Sequence, residues 1–343
     1  MRRRYDIWYL ISIILLNLFG LLNLTGLRSD LLPQTLLFTF VGVVLFTLFS
    51  RIKPELLEQN YKIIFLIFVV LLFITLFTDS IRGSKRWIDF GFFQFQTSEF
   101  FKPFFIVCLA AILNAQNRFG KLKLFAVISM FLIPAGAIFL QPDLGSAIIY
   151  STVFATIFYF SGLSSKLTAI IGGVLVSLIP LLWFVMKDYQ KARIIGFLNP
   201  DLDPRGLTYN ITQAIIAIGS GGLLGKGLGL GTQAQYRFLP EFHTDFAFAA
   251  FIEQFGFMGG LLLLLAFSLL FFRLIMKMFQ NKDNDFKFLF LVGTIALIFF
   301  ELVINMGMNL GLMPVTGIAL PFISYGGSSL LSTMILLGIA AAL

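Results

Sequence analysis

The chain has 343 residues, of which 58% are hydrophobic and 12% charged, with a mean hydropathy of +0.93. A soluble domain carries about a quarter charged residues, so the composition excludes one and predicts an all-α, polytopic membrane protein. The formal charge of +8 does not indicate nucleic acid. Many Lys and Arg sit in short loops between apolar runs, and no basic stripe interleaves with aromatics. Cys108 is the only cysteine, which excludes an intrachain disulfide and a cysteine-based metal site.

In chain order, Arg2, Arg3 and Arg4 precede the first apolar run. That run is too long for a signal peptide and lacks a small-x-small cleavage pattern, so it reads as an uncleaved span. Stretches of about 20 apolar residues suffice to cross a bilayer. They predict about ten spans, at 7–27, 32–50, 62–79, 98–115, 122–140, 144–162, 167–186, 246–272, 286–305 and 324–343. No linker or repeat interrupts them, so residues 1–343 form a single membrane domain.

The short loops on one side carry Arg51, Lys53, Lys62, Arg118, Lys121, Lys123, Lys166, Arg273, Lys277, Lys282 and Lys287. Basic short loops stay in the cytoplasm, which predicts that both termini are cytoplasmic. Two outer segments break the pattern. The loop 80–97 holds Arg82, Lys85 and Arg86. The long segment of about 187–245, between spans seven and eight, holds Lys187, Lys191, Arg193, Arg205, Lys226 and Arg237. Their charge fits either an anionic ligand such as a pyrophosphate or ordinary solvated loops. The long segment predicts short amphipathic helices at the outer interface, broken by glycine turns. Its glycines match no nucleotide loop.

Ionisable residues in spans cost roughly 2.5–3.5 kcal/mol each on insertion scales, so the few present carry information: Glu99, Lys102, Asp143, Asp245, Glu253 and Glu301. Glu99 and Lys102, three apart, share a helix face and are placed to pair, either structurally or to organise a site. Thr97 or Ser98 is the expected cap of their helix. Asp143, at the outer start of a span, is either a helix cap or a substrate or cation ligand. Asp245 stands at the outer mouth of the eighth span, in Leu239-Pro-Glu-Phe-His-Thr-Asp-Phe. It is the candidate general base, with a capping role the alternative. His243 is the only histidine, so a His-based metal cluster or a Ser-His-Asp triad has little material.

These residues stand within longer motifs. They include Arg86-Trp-Ile-Asp-Phe-Gly, Gln96-Thr-Ser-Glu-Phe-Phe-Lys, Gln141-Pro-Asp-Leu-Gly-Ser-Ala and Tyr209-Asn-Ile-Thr-Gln. Ile218-Gly-Ser-Gly-Gly-Leu-Leu-Gly-Lys-Gly, Gly231-Thr-Gln, Phe238-Leu-Pro-Glu-Phe-His-Thr-Asp-Phe and Met313-Pro-Val-Thr-Gly-Ile-Ala-Leu-Pro-Phe-Ile-Ser-Tyr-Gly-Gly-Ser-Ser follow. In this order, from about residue 80 to the end, they resemble the SEDS family (shape, elongation, division and sporulation proteins), most closely its RodA branch. The chain departs from the family pattern at Thr97, Gln254 and Ala319, and at Ala214-Ile215, where a Ser-Lys pair is usual. The last loses a cation, so phosphate contacts are expected at Arg193 or Lys226.

The resemblance implies a ten-span fold in the bacterial inner membrane and polymerisation of lipid II, the undecaprenyl-pyrophosphoryl disaccharide-pentapeptide, at the outer face during elongation. It implies that Asp245 is catalytic and that Trp87, Glu99, Lys102 and Asp143 are functionally important. It also implies support by a divalent cation, magnesium or manganese, with no organic cofactor. The implied partners are a class B penicillin-binding protein and other elongation-complex membrane proteins. Two other readings stay open at this level: a lipid II flippase and a non-catalytic scaffold. A flippase needs polar groups along a path across the bilayer, whereas the charge pattern places Glu99, Asp143 and Asp245 near one face.

Overall fold

A computed structural model describes residues 6–79, 84–91, 93–114, 120–162, 166, 169–170, 172–173, 177, 180, 183–199 and 207–343. Arg2–Arg4, Arg82, Arg118, Arg205 and much of the expected span 167–186 lie outside the described residues.

The described chain is almost wholly helical. Helices α1 (Ile7–Leu27), α2 (Leu32–Arg51), α3 (Pro54–Gln59) and α4 (Tyr61–Thr75) come first. A hairpin of β1 (Trp87–Asp89) and β2 (Gln94–Gln96) follows, then α5 (Thr97–Leu113), α6 (Lys121–Leu140) and α7 (Leu144–Phe160). The long outer segment folds as α8 (Asp188–Leu198), α9 (Leu207–Gly221) and α10 (Thr232–Gln235), before α11 (Ala247–Gln280), α12 (Asp285–Asn309) and α13 (Gly327–Ala342). Among the described residues, nine of the ten predicted spans are occupied by helices. Five helical segments are long and apolar enough to cross a membrane: Ile7–Leu27, Ser29–Arg51, Lys121–Leu140, Ala247–Gln280 and Asp285–Asn309.

Burial is inverted relative to a water-soluble protein. Phe77, Leu122 and Phe125 are 88%, 84% and 71% exposed, whereas Lys102, Glu253, Gln254, Glu301, Asn305 and Asn309 are buried. Exposed apolar side chains on this scale are stable only against hydrocarbon. Polar groups then turn inward, where protein satisfies them. The chain is a multi-pass membrane protein.

The backbone forms two compact units. The first joins residues 1–43, 189–274 and 299–331. Its core packs Ala214 and Ala217 of α9 with Ala234, Leu239, Phe246, Ala250 and Met308. The second joins residues 44–188, 275–298 and 332–343. There α4, α5 and α7 interlock through aromatic rings: Phe68 stacks on Phe101 and Phe104 at 5.1 and 4.8 Å, and Phe105 meets Tyr150 at 4.7 Å. Phe131 of α6 stacks on Phe154 at 4.4 Å. Such pairs add about 0.5–1.5 kcal/mol each beyond the area they bury.

Three expectations need correction. The loop 80–97 contains a hairpin, with Trp87 opposite Gln96 and Asp89 opposite Gln94. Asp89 accepts a hydrogen bond from Gly91 N at 2.7 Å, inside a turn where Gly91 has φ +82°. Neither Thr97 nor Ser98 caps α5. The extended Gln96, which ends β2, is the cap residue and makes no side-chain capping bond. The hairpin feeds the chain straight into the helix and leaves Thr97 on its first turn. Finally, the eighth span runs past 272 to Gln280 and is not one helix. Gly256, at φ +67° and ψ −169°, interrupts it.

Candidate active site

The sequence-selected residues fall into two groups, one in each unit. In the second unit, Asp143 caps α7 and accepts bonds from Ser146 N at 3.1 Å and Ser146 Oγ at 2.8 Å. Gln96, at the end of the hairpin, donates to Asp143 Oδ2 at 3.2 Å, and Arg86 Nη1 stands 3.4 Å from Asp143 Oδ1. Burial alone raises a carboxyl's pKa. Here the Arg86 charge, the two Ser146 bonds and the Lys102 charge outweigh burial and hold Asp143 below the ordinary carboxylate range. Arg86 also lies over the Trp87 ring, 4.2 Å from its centroid. Trp87 thus orients the cation that holds Asp143 ionised.

One turn into α5, Glu99 and Lys102 pair at 2.6 Å, with side chains 12% and 6% exposed. The helix is anchored around them: Tyr150 OH donates to Ser98 O at 2.7 Å and Ser332 Oγ donates to Glu99 O at 2.6 Å. The expected pairing is present, and so is the expected cap at Asp143.

The first unit contains Asp245, Arg193, His243 and Lys226. Asp245 ends a tight turn in which Glu241, at φ +50°, accepts Thr244 N and Phe246 N through its backbone carbonyl. Two asparagines of α12 hold the turn. Asn305 Nδ2 donates to Asp245 O at 3.2 Å and to Ile318 O at 2.7 Å. Asn309 Nδ2 donates to Asp245 O at 3.1 Å, while Asn309 Oδ1 accepts from Ala249 N at 3.0 Å. On the other flank, Ser324 Oγ donates to Thr244 O at 2.6 Å and Tyr325 N to His243 O at 2.7 Å. The His243 ring lies beside Tyr325, at 6.0 Å between centroids. The backbone of Asp245 is therefore fixed, and its carboxylate shares a location with the Arg193 guanidinium of α8: a Cβ placed on Gly317 would lie 3.5 Å from Asp245 Oδ2 and 3.9 Å from Arg193 Nη1. A carboxylate and a guanidinium about one small group can accept a proton and neutralise an anion.

Lys226 is engaged elsewhere. Its ammonium donates to Thr232 Oγ1 at 2.8 Å and to Glu253 Oε1 at 3.3 Å. Glu253 is fully buried and also accepts Gln233 N at 3.0 Å and Ala234 N at 3.4 Å, at the start of α10. The glycine-rich loop fills the interruption in α11. Lys226 N and Gly227 N donate to Glu253 O and Gln254 O, and Phe257 N and Met258 N donate to Gly222 O and Leu223 O. Interrupted spans require such replacement partners. Gly225, Gly227 and Gly229 all have positive φ, so the glycine turns expected in this segment are present. Gln254 Oε1 accepts Gly229 N at 3.0 Å, and its amide donates to Asn23 at 2.8 Å.

Sequence reading missed Asn305 and Asn309. Their signal was available: two amides four residues apart in an apolar run, on one helix face. Among the described residues no group of three His, Cys, Asp or Glu side chains is placed to hold a metal.

The profile of the FtsW/RodA/SpoVE family, described as cell cycle proteins, matches residues 6–343. The peptidoglycan glycosyltransferase MrdB of Escherichia coli K12 is 35% identical over 306 residues, covering 88% of this chain and 82% of that protein. The peptidoglycan glycosyltransferase RodA of Treponema pallidum is 30% identical, covering 98% and 96%. A solved chain from a peptidoglycan synthase complex that coordinates polymerization and crosslinking superposes with a TM-score of 0.83 at 27% identity, covering 98% of this chain and 97% of that one. The rod shape determining protein RodA of Thermus thermophilus does so with a TM-score of 0.74 at 26% identity, covering 98% and 96%.

Proposed function

The chain belongs to the FtsW/RodA/SpoVE family of cell cycle proteins, and on that premise we infer that it is a peptidoglycan glycosyltransferase that polymerises lipid II with Asp245 as base. The observation that carries the residue assignment is the carboxylate of Asp245 and the guanidinium of Arg193 about Gly317. The substrate's chemistry can use that pair. The 4-hydroxyl of the acceptor N-acetylglucosamine attacks the anomeric carbon of the donor N-acetylmuramic acid. The bond to undecaprenyl pyrophosphate breaks with its electron pair going to the leaving oxygen, and the α-linkage becomes β. Asp245 Oδ2 takes the hydroxyl proton. The leaving group departs as an anion, so a cation replaces a general acid, and Arg193 supplies that charge.

Magnesium or manganese suits this site as a companion of the substrate's pyrophosphate rather than as a resident ion. Magnesium commonly binds through one or two carboxylates plus substrate phosphates, so such an ion would be held mainly by the substrate's pyrophosphate, with Asp245 the nearby carboxylate that could assist. Such a cation would offset charge on the leaving group.

Within the second unit, Glu99, Lys102, Asp143 and Trp87 are proposed to be functionally important, as the family resemblance implies. The proposed setting is the bacterial inner membrane, with both termini cytoplasmic and Asp245 outside, as the basic short loops favour. The proposed partner is a class B penicillin-binding protein, alongside other elongation-complex membrane proteins. The likeness to a chain of a polymerising and crosslinking complex supports the partner. The test is Asp245→Asn in purified protein supplied with lipid II. It should insert and fold but produce no glycan strands, and retained polymerisation overturns the assignment.

A further inference from the structure

Three glycines of the first unit are held in close packing. At Gly221, Gly225 and Gly256 an added Cβ would strike backbone atoms at 2.3, 2.1 and 2.2 Å. Those glycines permit close packing of the loop into the interruption of α11. Gly317 differs. Among the described residues, its added Cβ would meet the ends of two charged side chains, Asp245 Oδ2 at 3.5 Å and Arg193 Nη1 at 3.9 Å. Both are ordinary contact distances, so the protein itself does not demand a bare Cα there for space. Gly317, Asp245 and Arg193 are each half-buried rather than sealed in the core. Its backbone, at φ +74°, turns this open side toward the two charges.

The spacing across this point is built in. One amide, Asn305 Nδ2, donates both to Asp245 O and to the carbonyl of Ile318, the residue after Gly317. The wall that bears the carboxylate and the wall that bears the glycine are thereby tied to one side chain of α12.

We propose that Gly317 sets the size of the seat for the reacting sugar: its open side holds the acceptor hydroxyl and the anomeric carbon of an N-acetylhexosamine between Asp245 and Arg193. This rests on the assignment of Asp245 as base. A side chain at 317 occupies the place where the new glycosidic bond forms. The substrate is excluded by volume, not through damage to the fold.

Backbone strain and seat volume make opposite predictions for two substitutions. Asn tolerates a positive φ better than Ala does, but is larger. Gly317→Ala and Gly317→Asn should be purified with Asp245 intact and assayed for lipid II polymerisation per folded protein, alongside thermal midpoints. The seat predicts that Asn is at least as stable as Ala yet polymerises at least tenfold more slowly than Ala. If Asn is less than tenfold slower than Ala, the proposal is overturned. Should Asn yield no folded protein, Ala decides alone: a tenfold or greater loss of kcat/KM at an unchanged thermal midpoint supports the seat, and a smaller loss, or one accompanied by a lowered midpoint, overturns it. Loss of activity in Asp245→Asn combined with near-native rates in both Gly317 variants would reject the seat and leave the base in place. Activity in Asp245→Asn would reject the underlying assignment.

Discussion

Lys226 reaches Glu253 at 3.3 Å, and the carboxylate it meets is fully buried in the stretch of α11 that precedes Gly256. The pair closes the glycine-rich loop over the interruption of α11. Glu253 also accepts two amides of α10. Glu253→Ala removes the acceptor of two amides and the charge partner of Lys226, which keeps Thr232 Oγ1 and some solvent, and should destabilise the first unit by about 3 kcal/mol. Glu253→Gln keeps an acceptor oxygen and should cost roughly 1–3 kcal/mol. Thermal unfolding in detergent checks the order. Equal losses in the two variants would remove the carboxylate from this role.

Gly256→Ala should abolish folded protein. The residue sits at φ +67° and ψ −169°, and a Cβ would stand 2.2 Å from Gly225 N. That backbone region is essentially glycine-only, at a cost of order 1–3 kcal/mol before any clash. The readout is monodisperse protein recovered from membranes, and wild-type recovery would contradict the geometry.

Asn305→Ala should lower kcat with little change in KM for lipid II. It removes the donor that ties Asp245 O to Ile318 O, and a displacement of about 1 Å at a reacting group can cost about a hundredfold. The variant should retain most of its thermal stability, because Asn309 still holds Asp245 O. A rise in KM with unchanged kcat would mean that Asn305 serves binding alone.

The pH dependence at Asp143 has a definite sign. Its folded pKa is lowered, since Arg86, Ser146 and Lys102 together outweigh burial. Its stabilisation is therefore fully present above the unfolded carboxylate value, about 3.9, and is lost as pH falls through the lower folded value. Thermal midpoints taken down through that window should fall more for the wild type than for Asp143→Asn. Parallel curves would show that Asp143 contributes nothing to acid sensitivity.

Much of this architecture was legible in the sequence because hydrocarbon thickness dictates it. The first and fifth spans were expected at 7–27 and 122–140, and the helices run Ile7–Leu27 and Lys121–Leu140. The Glu99–Lys102 pair followed from helical spacing, and the Asp143 cap from its place at a span start. Other features depend on contacts distant in sequence. The interruption at Gly256 requires carbonyls and amides from a loop some 30 residues earlier, and an apolar run containing Gly-Phe-Met-Gly-Gly does not reveal that partner. The capping expectation at Thr97 or Ser98 failed because Gln96 arrives extended from a hairpin whose register no local pattern announces. The pairing of Lys226 with the buried Glu253, 27 residues away, is likewise announced by no local pattern.

The interruption also bears on how the chain enters a bilayer. As one continuous helix, Ala247–Gln280 would measure about 51 Å at 1.5 Å per residue, well beyond a hydrocarbon core of about 30 Å. The insertion machinery therefore receives an apolar segment too long for one crossing. Ending the first stretch at Gly256 leaves Phe257–Gln280 to serve as the crossing, at about 36 Å. The loop that supplies the missing backbone partners is synthesised first, so it is already waiting when the overlong helix emerges. Mutations that weaken that loop should show themselves during biogenesis, as misplaced or degraded nascent chains, before any effect on sugar transfer can be measured.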